Sequence, residues 1–215
     1  MTKLRGLVVC GGVISVLAVA APASALGPIH HQTQRVVIPD KVTALAVRGE
    51  VGNITVVPGP VTRVVAVEQY NLEAPKLIHT VRDGLLRVSA PCPRPTGIVD
   101  LGLNNCGVDF VITVPRNVTV AARNAVGDIR VRDLRGAESL HSAVGDVTLD
   151  NVRAASIKAS SDTGDISMSV PSGAYAVDVH SDIGETHVRG ITVQPDASHA
   201  LSARTATGDI HITGR

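Results

Sequence analysis

The sequence predicts an all-β fold, a parallel β-solenoid (β-helix) wound in coils of 18 to 24 residues. Three observations predict it. A Gly-acid pair recurs as Gly127-Asp128, Gly145-Asp146, Gly164-Asp165, Gly184-Glu185 and Gly208-Asp209, spaced 18, 19, 20 and 24 residues apart, the period of a solenoid coil. Apolar and polar residues alternate on both sides of each pair, the mark of a strand with one buried and one wet face. The chain is 44% hydrophobic but 1% aromatic, with no Trp, so its interior has to be thin. Columns of Val, Ile, Leu and Ala stacked at the ~4.8 Å strand spacing suit a narrow, flattened coil.

The second strand of each copy follows the glycine. Two residues on stand Ile129, Val147, Ile166, Thr186 and Ile210, and four residues on stand Val131, Leu149, Met168, Val188 and Ile212. The first strand precedes it, with Ala122, Leu140, Ala159, Val179 and Ala203 five residues before, and Val120, Glu138, Ile157, Val177 and Leu201 seven before. Glu138 is the misfit in that apolar column. Arg123, His141, Ser160, His180 and Arg204, four before the glycine, are outward-facing types. In the copy around Gly145, Leu140, Val144, Val147 and Leu149 are expected in the core. A sixth copy, "LAVRGEVGNITVV", places Leu45, Val47, Val51, Ile54 and Val56 in the same frame around Gly52-Asn53. Residues 58–117 hold strand-like runs without the Gly-Asp register and read as atypical, inserted coils; residues 118–215 read as regular repeats.

An antiparallel sandwich of hairpins is the competing architecture. A two-residue Gly-Asp hairpin loop would pair the position three before the glycine with the apolar position four after it. The first of these columns is Asn124, Ser142, Ser161, Ser181 and Thr205, which mismatches. In a coil such small polar residues can stack at a corner instead.

At the N-terminus, Lys3 and Arg5 precede an apolar run from about Gly6 to Ala21 and the small-residue site Ala23-Ser24-Ala25, so residues 1–25 read as a cleavable signal peptide. The run is shorter than the ~20 residues needed to span a bilayer, and Val9 before Cys10 is too bulky for a lipidation site. Residues 26–34 are expected as a flexible N-terminus before a domain at 35–215. Cleavage would remove two basic residues, leaving 18 against 19 acidic ones, a net charge of −1. Neither a basic stripe nor stacking aromatics, the footprints of nucleic-acid binding, is visible. In an exported chain the remaining pair, Cys92 and Cys106, is expected to form a disulfide that pins a long loop.

With the signal peptide, the "VITVPRNVTVAARNAVGDIRV" entrance and the serial "GDI" and "GDV" turns, residues 35–215 resemble a bacterial family of unknown function labelled "putative adhesin". The resemblance implies a single-stranded, right-handed β-solenoid set in the cell envelope or exterior. It implies no catalytic residue and no cofactor.

Candidate chemistry is sparse. Asp128, Asp146, Asp165, Glu185 and Asp209 would stack in one column, where Gly supplies an unusual backbone angle and Asp bonds turn amides. Calcium bridging is the alternative, but the nine-residue period of calcium-binding repeats is missing. "GETHV" and "GDIHI" place Glu185, His187, Asp209 and His211 on one outer face, as ligands for zinc or another divalent ion or as a salt-bridging patch. Asp178, His180, Ser181 and Asp182 adjoin in sequence, yet neighbours on a strand face opposite ways, so they form no triad.

The expected function is therefore that of a secreted or cell-surface, non-enzymatic binding scaffold whose partner is an envelope protein or a glycan, without nucleic acid and without a membrane span after cleavage. A polysaccharide-acting enzyme and a self-assembling envelope element are the alternatives. The last coil, "ATGDIHITGR", is expected to form the solenoid's open end and to be the site of any self-association.

Overall fold

Eighteen strands and no helix make up the described residues, 28–93 and 105–215, of the computed structural model. The irregular N-terminal part contributes β1 (His30–Ile38), β2 (Ala44–Arg48), β3 (Ile54–Pro58), β4 (Thr62–Tyr70), β5 (Ile78–Arg82), β6 (Leu85–Ser89) and β7 (Cys106–Val114). Regular coils follow. β8 (Thr119–Val126) turns at Gly127 into β9 (Ile129–Arg132), β10 (Glu138–Val144) at Gly145 into β11 (Val147–Asp150), and β12 (Ser156–Thr163) at Gly164 into β13 (Ile166–Val170). β14 (Ala174–Ile183) turns at Gly184 into β15 (Thr186–Arg189); after the short β16 (Thr192–Val193), β17 (Ala200–Thr207) turns at Gly208 into β18 (Ile210–Gly214).

Each Gly turn carries the chain from one sheet to the other, so the coil is flattened into two nine-stranded sheets. Sheet I has the order β1-β4-β7-β3-β9-β11-β13-β18-β15, and sheet II the order β5-β6-β2-β8-β10-β12-β17-β14-β16. The expected register holds residue for residue. Ile54, Ile129, Val147, Ile166 and Ile210 lie side by side across sheet I, and Val47, Ala122, Leu140, Ala159 and Ala203 across sheet II. All ten are buried between the sheets, and each larger one so enclosed contributes about 1.5–3 kcal/mol.

Four expectations are corrected. The coils do not stack in chain order: the Gly208 coil lies between the Gly164 and Gly184 coils, with β18 hydrogen-bonded to β13 on one side and β15 on the other. The physical reason is apolarity. Leu201, Ala203, Ile210 and Ile212 fill both core columns and are buried, whereas the Gly184 copy offers Thr186 in an apolar column and leaves Val177, Val179 and Val188 only partly covered. The more polar coil takes the outer place, and the long connection from β15 to β17 lets the chain double back. The open end is therefore formed by β14 and β15, and the chain's last strand is internal.

Likewise β2 and β3, first of the repeat copies, sit inside, between β6 and β7 on one side and β8 and β9 on the other. Second, the array is not wholly parallel, because β1 on β4, β4 on β7 and β5 on β6 are antiparallel and close its other end. Third, residues 30–34 are not a loose leader: β1 starts at His30 and pairs with β4 along its whole length. Fourth, Val144 is not in the core. With Val51, Val126 and Ile183 it stands before the glycine, where the chain rounds the corner, and all four are exposed.

Cys92 and Cys106 form the expected disulfide, Cα to Cα 5.9 Å, tying the segment after β6 to the start of β7. On the chain-entropy model such a closure contributes about 3 kcal/mol. The expected signal segment, residues 1–25, lies outside the described residues.

Candidate functional site

The corner at each Gly-acid pair is built from two hydrogen-bond ladders running along the solenoid. In one, the small polar residue three before the glycine donates to the glycine carbonyl of the neighbouring coil. Ser142 Oγ bonds Gly127 O at 2.9 Å, Ser161 Oγ bonds Gly145 O at 2.9 Å, Thr205 Oγ1 bonds Gly164 O at 3.0 Å and Ser181 Oγ bonds Gly208 O at 2.8 Å. Asn124 Nδ2 does the same to Gly52 O at 2.6 Å. The sequence column is explained by this bond rather than by contact of like with like.

In the other ladder the acid's Oδ1 accepts the backbone N–H of the acid in the next coil. The amides of Asp146, Asp165, Asp209 and Glu185 donate in turn to Asp128, Asp146, Asp165 and Asp209 at 2.8–2.9 Å. Asn53 joins in, donating to Asp109 at 2.7 Å and accepting from Asp128 at 2.9 Å. The glycines are required because their φ values run from 122° to 147° and a Cβ would strike a neighbouring backbone carbonyl, that of Val108 at Gly52 and that of the adjacent coil's glycine at the other five. The acid column is thus a corner device, with each aspartate carboxylate bonding an amide of the next coil.

The structure does not assemble Glu185, His187, Asp209 and His211 into a ligand set. Asp209 Oδ1 is occupied by the Glu185 amide, His187 Nε2 lies 3.0 Å from Glu185 Oε2, and the His187 and His211 rings stack with centroids 5.0 Å apart. Among the described residues no three His, Cys, Asp or Glu side chains converge as a metal-holding group. Nor do Asp178, His180, Ser181 and Asp182 form a triad. His180 Nε2 meets Asp182 Oδ1 at 2.9 Å on the outside and Asp178 pairs with Arg204 at 2.6 Å, while the Ser181 hydroxyl is turned into the corner ladder.

Glu138, the misfit of the alignment, is buried where its register neighbours are Val120 and Ile157. Neither carboxylate oxygen has a partner, and burial pushes its carboxyl up to about 8. With no partner at either oxygen it is a polar defect in an apolar column.

The outward-facing column that the sequence placed at Arg123, His141 and Arg204 is part of a longer basic line on the outer face of sheet II, which the sequence did not show. Six consecutive strands each place one basic or imidazole residue there: Arg87 on β6, Arg48 on β2, Arg123 on β8, His141 on β10, Lys158 on β12 and Arg204 on β17. Arg48 and Arg123 are direct register partners. Among the described residues Arg87, Arg48, Arg123 and Lys158 make no ion pair, whereas Arg204 is paired with Asp178. A basic stripe therefore exists after all, formed by register from residues far apart in sequence.

Fold and surface together define the class: an all-β, two-sheet coil protein whose recurring Ser, Thr, Asp and Gly residues are bonded at its corners. A family model described as Toastrack DUF4097 matches residues 109–214, in keeping with the resemblance to a family of unknown function. A solved structure described as a putative cell adhesion protein from Clostridium sporogenes is 15% identical, with TM-score 0.62, covering 86% of this chain and all of that one. A putative adhesin from Bacteroides fragilis is 16% identical at TM-score 0.34, covering 85% of this chain and 97% of that one. No curated protein matches the chain. No helix of the described residues is long and apolar enough to cross a membrane.

Proposed function

We propose that this chain is an exported, non-enzymatic, adhesin-like scaffold of the cell envelope or exterior, binding an envelope glycan or protein through its flat outer faces. One observation carries the reading. The Ser, Thr, Asp and Gly residues that recur in every coil are engaged in the corner ladders, so the polar residues that look most like chemistry serve the fold. The faces between the corners remain available for contact. A disulfide fits an oxidising compartment, and the fold shared with the Clostridium sporogenes protein fits an adhesive role.

A glycan array run beside a glycan-hydrolysis assay tests this. Binding without turnover is the expected outcome, and turnover of any bound glycan overturns it in favour of a polysaccharide-acting enzyme. Self-association is a second reading with its own support: on the outer side of β14 only Ala174 and Tyr175 are paired, leaving residues 176–183 as an open edge. Sedimentation that depends on concentration is its signature, and a strict monomer removes it.

A further inference from the structure

The cations of sheet II, all unpaired but Arg204, lie in two hollows that run into each other. One, of about 920 Å3, extends beneath Val193 and Pro195 and is walled by Arg123, Lys158 and Arg204. The other, of about 480 Å3, extends toward Ile78 and Thr80 and is walled by Arg48, Arg87 and Arg123. Arg123 and Ser139 line both, so the hollows make one trough across the strands. With six strands about 4.8 Å apart, it is roughly 24 Å long.

We propose that this trough binds a linear acidic polysaccharide, its carboxylates over Arg87, Arg48, Arg123 and Lys158 and its chain running across the strands. The proposal rests on the adhesin-like reading above and names the ligand and the face that takes it.

Three features of the site specify that chemistry. Arg48 and Arg123 are adjacent in register with no acid between them. Like charges directly opposite on a sheet destabilise it, and an anion laid between them offsets that repulsion. Guanidinium forks match carboxylates two bonds at a time. The floor is made of small residues, among them Ala46, Ala121, Ser139, Ser160 and Ser202, which let a flat chain approach and offer hydroxyls to sugar hydroxyls. Among the described residues His141 brings the trough an imidazole but no Phe, Tyr or Trp lines it, so the row of large rings on which single-stranded nucleic acid stacks is missing. One acid, Asp178, also lines the trough, where it is paired with Arg204; Asp128, Asp146, Asp165 and Asp209 are held in the corner ladder instead.

The test titrates the full chain with oligogalacturonate, with its neutral methyl ester and with inorganic polyphosphate. The acid is expected to bind and the ester to bind about tenfold more weakly or not at all; raising the salt to about 0.5 M weakens the acid at least as much. The double variant R48A/R123A is expected to lose about tenfold in affinity, while R189A, on the outer face of sheet I, leaves it unchanged. Removing two neighbouring like charges should not lower the denaturation midpoint, which separates lost binding from lost fold. Equal binding of acid and ester, parent-like binding by R48A/R123A, or binding of polyphosphate alone overturns the proposal. If the glycan array then shows a ligand whose binding survives R48A/R123A, the trough fails and the adhesin-like reading stands; if no glycan or envelope component binds, both fail.

Discussion

The backbone N–H of Asp165 donates to Oδ1 of Asp146 across 2.8 Å, joining two coils at a corner between the backbone bonds from Gly145 N–H to Thr163 O and from Val147 N–H to Asp165 O. What the position needs is an acceptor oxygen at that reach, not a charge, and Asn53 fills the same rung in its own coil. Asp146→Asn should therefore change stability little. Asp146→Ala leaves the Asp165 amide without its partner and should cost about 1–3 kcal/mol. Chemical denaturation of the two variants beside the parent checks this, and equal losses would show that the charge matters after all.

Gly145 has φ 140°, and a Cβ there would meet the carbonyl of Gly127, which is backbone and cannot move aside cheaply. Gly145→Ala should destabilise by about 2 kcal/mol or more, combining backbone strain with the clash. Gly173→Ala is the control, because a Cβ there finds only the Tyr175 ring at 3.7 Å. The difference in their thermal midpoints reads the requirement directly.

The columns of the core were legible because a parallel coil keeps one register from copy to copy, so Ile129, Val147 and Ile166 had to share a face. The order of the coils was not. Any stacking order gives the same columns, and the one physical clue was that Thr186 is the polar member of an apolar column. The basic trough was hidden for a related reason: Arg48 and Arg123 are neighbours only because β2 lies beside β8, and the chain between them passes through five other strands. At the Gly-Asp corners the partner of each polar group lies in the next coil, which a single repeat cannot show.

Glu138 makes stability depend on pH in a sense opposite to that of an ion-paired acid. Its carboxyl is held at about 8 when folded, against 4.5 when free. The folded state therefore binds the extra proton between those values. Stability is highest below pH 4.5 as far as this group is concerned, falls as the pH climbs toward 8, and is level above it; the total change is on the order of 5 kcal/mol. Glu138→Leu should remove this fall and raise the denaturant midpoint at pH 7, since Leu201 already fills the same column in its own coil. Denaturation of parent and variant at pH 5 and pH 9 decides it; a parent whose stability is the same at both is the contrary result.

Amide hydrogen exchange distinguishes the two possible positions of the last coil. In chain order, β17 and β18 would form the outer edge and their amides would exchange first. In the structure β17 is bonded to β12 and β14, and β18 to β13 and β15, so both have neighbours on either side. The edge belongs to β14 and β15, whose Val177, Val179 and Val188 are partly uncovered. Exposed edges open with the least free energy. The outward-directed amides of β14 should therefore exchange quickly, while those of Leu201, Ala203 and Ile212 are protected like the amides of the central coils. Deleting the whole Gly208 coil should then disturb the Gly184 coil, which it separates from the rest, rather than merely shorten the array; early exchange in β17 and β18 with slow exchange throughout β14 would refute this order.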